Sequence, residues 1–362
     1  SMTYKYFVGI DLGTTNSSVA YSRAEDSQST IEQYKIHQLV SEGLVDVLEV
    51  LPSLIYIPSE RDFPEGSLEL PWDDTPNVII GEMARREWSR AGYKVVHSAK
   101  SWLCHNSVDP KESILPFKSV LDAEKKVSAF EATRLILGHI KDSWNYDVSI
   151  GVLDSLLEEQ SIVITIPASF DPAARDATLE AARSIGLQNV LLLEEPQSAL
   201  YSWIESQGDN WRENLEVGKS ILVCDIGGGT TDFSLMKTVD EEGTLGFKRI
   251  AVGNHILLGG DNMDLALSHI LRAKLKESGQ TPDEKQFSSL QAQAREAKEL
   301  ILSGEQDEVK VVLAGSGSSL FASSMETVLT KSEVDKNFNY TKGSVGLARS
   351  LKYDTEDSQF FI

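Results

Sequence analysis

The sequence predicts an α/β protein made of two similar halves, and three features lead to that fold class. Residues 219–236, KSILVCDIGGGTTDFSLM, pass from an apolar run through Asp225 and three glycines into a second, alternating run. Residues 7–20, FVGIDLGTTNSSVA, repeat the arrangement near the N-terminus, with Asp11, Gly13, Thr14 and Thr15 in the turn. Between them, from Ser161 to Trp203, strand-like and helix-like segments alternate. That order produces parallel neighbours in an α/β sheet.

Each of the two stretches reads by period as a strand, a tight turn and a second strand. Asp11-Leu12-Gly13 echoes Asp225-Ile226-Gly227, and Thr14-Thr15-Asn16 echoes Thr230-Thr231-Asp232. Glycine lets the backbone bend sharply and leaves its N–H open to an anion. A carboxylate at the strand end repels phosphate unless a cation lies between them. Aspartate with bare amides therefore suggests a Mg²⁺–phosphate complex. One such turn is as well explained by a Gly-rich hairpin without a ligand. Two, far apart in one chain, argue for a duplicated fold whose halves clamp a nucleotide polyphosphate.

The chain has 362 residues, enough for two lobes with proper cores. Its net charge of −21 argues against a nucleic-acid partner, because no basic patch could dominate that field. No apolar run is long enough to cross a bilayer and no secretory signal opens the sequence. No membrane association and a reducing cytoplasmic setting are expected. Cys104 and Cys224 stand in neither metal-ligand nor redox spacing, and Cys224 is expected as a small core residue of its strand.

In chain order, strands are expected at Phe7–Ile10 and Ser18–Tyr21, followed by a looser acidic region. Leu51–Tyr56 reads as one strand entered through a proline, and residues 62–76, with three prolines and many acids, as a surface loop. A helix begins after Gly81, with Met83, Ala84 and Trp88 on its apolar side and arginines that face either solvent or a site. Lys100, Trp102 and Leu103 start a short helical or turn segment. Residues 127–144 form an amphipathic helix in which His139 is structural. Ser161–Pro167 is a buried strand, and Asp171-Pro172 then give an N-cap with proline in the first helical turn. That helix stops at Gly186. Val190–Leu193 is another buried strand, leading to Glu194-Glu195-Pro196 and a helix through Trp203. Polar residues 205–218 connect the two lobes. Gly253–Asp264, GNHILLGGDNMD, again offers paired glycines for a ligand or simply a turn. Helices near 264–278 and 287–302 follow, then a hairpin of Val309–Leu313 with Ser319–Ala322.

Several stretches together carry a resemblance: GIDLGTTNSSVA, LPS at 51–53, GEMAR at 81–85, ITIPASFDPAARDAT, LLLEEPQSAL, CDIGGGTTDFSL and LGGDNMD. In this order and spacing the chain resembles the nucleotide-binding domain of the Hsp70 (DnaK-type) chaperones, within the actin-like ATPases. The resemblance covers about the first three hundred residues. It implies a two-lobed actin-like α/β fold, a duplicated ribonuclease H-like architecture with a nucleotide cleft between lobes. Lobe I would span 1–204, with an outer subdomain at about 34–125. Lobe II would span 205–362, with a closing tail at about 343–362 that returns to lobe I.

The resemblance further implies ATP or ADP with Mg²⁺ as cofactors, the metal held through water by Asp11 and Asp225. Gly13, Thr14, Thr15 and Asn16 from one side, and Gly227, Gly228, Gly229 and Thr230 from the other, would bind phosphates. Gly259 and Gly260 would line them. Glu195 and Asp232 would position metal and attacking water. Lys298 would hold adenosine. Pro167 and Arg175 would relay nucleotide state. Where the family carries a catalytic lysine, GEMAR presents Arg85, which keeps the charge but cannot easily give up a proton. Nucleotide binding with slow, partner-stimulated hydrolysis is the expectation. A glycine pair followed by Ser/Thr and Arg-x-Pro, the family's later adenosine motif, is not visible. Expected partners are client proteins bound through a substrate-binding domain outside this chain, a J-domain co-chaperone and a nucleotide exchange factor, the protein itself being a monomer. A filament-forming actin-like scaffold is the alternative, and a sugar kinase of the same superfamily a weaker one.

Overall fold

The computed structural model describes residues 3–28, 30–208, 215–254, 256–315 and 324–337. It divides into two compact units, residues 1–261 and 262–362.

The first unit is built on a sheet whose strands are β1 (Tyr6–Leu12), β2 (Asn16–Arg23), β3 (Glu32–Tyr34), β6 (Leu51–Pro52), β10 (Ser161–Ile166) and β11 (Val190–Glu194). Their order is β11-β10-β1-β2-β3, with β6 beside β2. β10 runs parallel to both β1 and β11, as the alternating segments predict, whereas β1 and β2 form an antiparallel hairpin. Helices α3 (Ala129–Ser149) and α4 (Pro172–Ser184) cover it. Ile136, Leu137, Ile140 and Trp144 of α3 join Ala174, Ala181 and Ala182 of α4 in one core with Tyr6, Ile10, Ile162 and Ile164 of the strands. Asp171 caps α4 by accepting from the Ala174 amide at 2.8 Å, and Gly186 takes the positive φ of 92° that ends it.

The region between β3 and α3 contains β4 (Ile36–Ser41) paired with β5 (Leu44–Leu48), and β7 (Ile55–Tyr56) between β8 (Ile79–Ile80) and β9 (Val95–Val96). It also holds helices α1 (Glu82–Ala91) and α2 (Ala99–Leu103). Leu51–Tyr56 is thus not one strand. Pro52 has no N–H to extend a ladder, and Ser53 leaves the strand to brace the first turn, so β6 and β7 join different sheets.

α5 (Glu195–Gln207) leads toward a second sheet of β12 (Ser220–Ile226), β13 (Thr231–Glu241) and β14 (Thr244–Val252), antiparallel throughout. The sequence reading did not foresee β14, whose lysine and arginine interrupt its apolar alternation. Leu200, Ile221, Met236 and Phe247 form the small core between α5 and this sheet. Cys224 is exposed rather than buried. Among the described residues β12 is an edge strand, and Leu222, Cys224 and Ile226 share its uncovered face while Ile221 lies on the α5 side.

The second unit contains the body of α6 (Gly260–Glu277), α7 (Glu284–Leu302), the hairpin of β15 (Glu308–Leu313) with β16 (Met325–Thr330), and α8 (Lys331–Asn337). A capping box between Asp283 and Gln286 starts α7. Leu267, Leu271, Leu290, Ala294, Ile301, Val311 and Leu329 form its core. The partner of Val309–Leu313 is therefore Met325–Thr330; residues 319–322, where the sequence reading put it, lie outside the described residues, as does the tail from residue 338.

Candidate functional site

The two acidic hairpins have the same register. Asp11 pairs across its hairpin with Ser18, and Asp225 with Asp232, seven residues on in both cases. Leu12 pairs with Ser17 and Ile226 with Thr231, so each turn is a four-residue connection. This alignment shifts the one read from sequence: Thr14 and Thr15 are the counterparts of Gly228 and Gly229, not of Thr230 and Thr231. The sheet ladder, with its period of two, sets the correspondence, and matching the threonine pairs would require a two-residue slip.

The reason for glycine on one side and threonine on the other is steric. A Cβ added to Gly228 would fall 2.2 Å from Thr15 Oγ1, and one on Gly229 would fall 3.0 Å from Thr14 Cγ2. The two turns interlock, and only a backbone without side chains fits against the threonines. Gly13 is needed for a different reason, since a Cβ there would lie 2.1 Å from the Asn16 carbonyl oxygen of its own turn. Ser53 braces this turn by donating to the Gly13 carbonyl at 2.8 Å through Oγ and to the Thr15 carbonyl at 2.8 Å through its amide. Gly259 lies against the other turn, where a Cβ would be 2.5 Å from the Gly227 oxygen. The Gly260 and Asp261 amides donate to the Gly227 and Gly228 carbonyls at 3.0 and 2.7 Å. The paired glycines thus hold the second turn in shape. Thr230 donates to Asp232 at 3.0 Å.

The acids are held by side chains of neighbouring elements. Asp11 accepts from Thr165 Oγ1 of β10 at 2.7 Å. Glu195, at the head of α5, forms a close ion pair with Lys100 of α2, the two side chains being 19% and 15% exposed. Burial pushes the Glu195 carboxyl up to about 7; Asp225 beside it adds to the rise and Lys100 opposes it. Asp232, buried, accepts from Ser169 at 2.6 Å. Ser101 Oγ, one residue beyond Lys100, is buried without a hydrogen-bond partner among the described residues, and a Cβ on Gly229 would fall 2.2 Å from it. Among the described residues no three His, Cys, Asp or Glu side chains are arranged to hold a metal by themselves.

The Arg85 guanidinium reaches Glu82 of the same helix, with Nε 2.9 Å from Oε2, and is 41% exposed. A cation that the structure brings to Glu195 is Lys100, which sequence reasoning passed over as the start of a short helix. The signal was there: Lys100 is the one charged residue in Val95–Leu103, held between a strand and a helix. Lys298 lies in the second unit, where its Nζ is 2.6 Å from the fully buried Asp264 and Arg295 Nε is 2.9 Å from the same carboxylate. Asn16 is exposed at the start of β2.

Arg175 of α4 donates to the Phe170 and Ala168 carbonyls at 2.9 and 3.0 Å, clamping the loop that opens with Pro167, and to Glu194 at 2.9 Å. Glu194 also receives Arg249 of β14 at 2.6 Å. Burial alone would raise the Glu194 carboxyl, but Arg249 and Arg175 outweigh it and hold it below the ordinary carboxylate range.

These features define a class: an α/β protein in which two duplicated acidic hairpins, one bearing threonines and one glycines, meet through their turns. Comparison with known proteins agrees. A model of the Hsp70 protein family matches residues 72–336. A chaperone protein HscA homolog of Chromobacterium violaceum is 30% identical over 370 residues, covering 98% of this chain and 51% of that protein. One from Shewanella baltica is 27% identical over 345 residues, covering 92% and 46%. The chain belongs to the Hsp70 family and has its actin-like ATPase fold. It spans about half the length of the curated relatives it matches.

Proposed function

We propose that this chain is the nucleotide-binding ATPase part of an Hsp70-type chaperone, with ATP as substrate and Mg²⁺ as its metal. The observation that carries the reading is the interlock of Thr14-Thr15 with Gly228-Gly229 beside the partly buried Lys100–Glu195 pair. The residues fit such a ligand. Burial, with Asp225 alongside, drives the Glu195 carboxyl up to about 7, a place that suits a cation, and Ser101 Oγ is a buried hydroxyl without a hydrogen-bond partner among the described residues. Mg²⁺ is commonly held by one or two carboxylates together with water and substrate phosphates, so Asp11 and Asp225 suffice without a third ligand.

When bound, Mg²⁺ would neutralise phosphate charge and orient the polyphosphate. The chain's own part is positioning. Thr14 and Thr15 offer hydroxyls, and the turn glycines offer amides that no side chain shields. Lys100, not Arg85, supplies the buried positive charge for the transferring phosphoryl group. Glu195 and Asp232 orient the attacking water. Phosphoryl transfer asks for this kind of placement and charge balance rather than covalent help from the protein.

Arg249–Glu194–Arg175 ties the second sheet to α4 and to the loop after β10, and supports a role in passing nucleotide state onward to a substrate-binding domain. Client proteins, a J-domain co-chaperone and an exchange factor are the partners this reading entails. Single-turnover hydrolysis of γ-labelled ATP tests it. Phosphate release without any sugar acceptor, lost in Glu195→Gln, is expected; no release above background would overturn it. Light scattering with ATP separates the filament scaffold, for which scattering would rise.

A further inference from the structure

Helix α3 buries one face in the core through Ile136, Leu137, Ile140 and Trp144. Its next face, Arg134, Leu135, Gly138, Lys141 and Asp142, follows the i, i+4, i+7 spacing of a helix side that should be packed. The segment from Leu70 to Ile80 and the end of α4 at Ser184-Ile185 roof that face without filling it, and leave a cavity of about 430 Å³. This is within the range of about 300–1,000 Å³ typical of small-molecule sites. The cavity lies apart from the acidic hairpins and shares no lining residue with them.

Two features mark it as more than a packing defect. Gly138 sits in the middle of a 21-residue helix, where glycine is less favourable than alanine, yet a Cβ there would meet nothing within 4 Å. No described neighbour needs that glycine, but the cavity does, because any side chain at 138 would occupy it. His139 is 6% exposed and lines the cavity edge-on to Trp72, with ring centroids 5.2 Å apart. Its Nε2 lies 2.8 Å from the His37 carbonyl, which can only accept, so the proton is on Nε2 and Nδ1 keeps a bare lone pair. Burial lowers the His139 pKa to about 4, which agrees with a neutral ring. Among the described residues nothing donates to Nδ1.

Several polar groups of the lining are already engaged, whereas the Asp142 carboxyl, which burial pushes up, and the Asn77 amide have no side-chain partner among the described residues. Arg134 is held by Glu131 at 2.6 Å, Lys141 donates to the Ile185 carbonyl at 2.5 Å, and Asp73 accepts from the Thr75 amide at 3.0 Å. Two cations face two carboxylates, so the lining has no net charge to offer an ion. What remains open is an aromatic wall, apolar side chains, the Asn77 and Asp142 side chains and, beside Trp72, the His139 Nδ1 acceptor. From this we propose that the cavity is a ligand site for an uncharged aromatic molecule carrying an N–H donor, the ring lying against Trp72 and the N–H donating to His139 Nδ1.

Indole and 1-methylindole, which lacks the N–H, are the probes. The full 362-residue chain is titrated with each while the side-chain resonances of His139 and Trp72 are followed by NMR. Saturable shifts of both rings with indole are expected, with about tenfold weaker binding of 1-methylindole. Gly138→Leu should fold at least as well, since it adds helix propensity in open space, and should lose at least tenfold in indole affinity. Gly138→Ala should lose less. The proposal is overturned if neither ring resonance moves up to the solubility limit of indole, if methylation at nitrogen makes no difference, or if the shifts persist unchanged in Gly138→Leu.

Discussion

Lys100 and Arg85 make opposite predictions for the same substitution. Lys100→Met removes one partner of an ion pair whose side chains are 15% and 19% exposed, and leaves Glu195 beside Asp225 without its cation. Breaking a fully buried pair costs about 3–5 kcal/mol. Partial exposure and the readiness of Glu195 to take up a proton reduce that here to about 2 kcal/mol at pH 7, or a fall of about 5 °C in Tm for a unit of this size. Loss of the buried charge should also lower single-turnover hydrolysis by about 10²-fold or more, as removal of a stabilising group at a reacting centre does. Arg85→Met removes a pair within one helix on a side chain that is 41% exposed. Such pairs contribute about 0.3–0.5 kcal/mol, and hydrolysis should not change. Urea denaturation and single-turnover assays on both variants decide the matter. If Arg85→Met cripples hydrolysis while Lys100→Met leaves it intact, the assignment of the buried cation is wrong.

Gly228→Ala places a Cβ 2.2 Å from Thr15 Oγ1 and should weaken nucleotide binding at least tenfold, measured by calorimetry, while circular dichroism stays unchanged. Asp11→Asn and Asp225→Asn should each weaken binding in Mg²⁺ more than in its absence. His139, near 4 in the fold against about 6.5 unfolded, is neutral where the unfolded chain takes a proton. Its contribution is therefore complete above pH 6.5 and is lost as pH falls toward 4, amounting to about 3 kcal/mol, and a His139→Gln variant should show a flatter stability curve across that window. Glu194→Gln leaves Arg249 and Arg175 without their shared carboxylate and should lower Tm by a few degrees in a scanning calorimeter.

Much of the fold was readable because its signals are local. Asp171-Pro172 announces a helix start, Gly186 a helix stop, and the apolar run Ser161–Pro167 a buried strand, whereas Val190–Leu193, read the same way, is the outermost strand of its sheet among the described residues, with Leu191 69% exposed. The duplicated hairpins were readable as chemistry but not in register, since the correspondence of Thr15 with Gly229 is set by ladder pairing that spacing does not reveal. Lys100 was hidden for a similar reason. A lone lysine on a short helix looks solvated until the fold carries Glu195 to it from 95 positions away. Arg85, by contrast, sits in a recognisable motif and reaches Glu82 of its own helix. Cys224 was misjudged because an apolar tetrapeptide implies burial on both faces, and among the described residues β12 is covered on only one.

In the proposed chemistry Asp11 and Asp225 act together on one metal–phosphate complex. Calorimetric titration with ATP, in Mg²⁺ and in EDTA, tests this on the unmodified chain and on Asp11→Asn and Asp225→Asn. One ATP per chain is predicted, bound at least tenfold more tightly with Mg²⁺, the advantage disappearing in either variant. Equal affinity in EDTA and in Mg²⁺, with both variants binding like the parent, would contradict it.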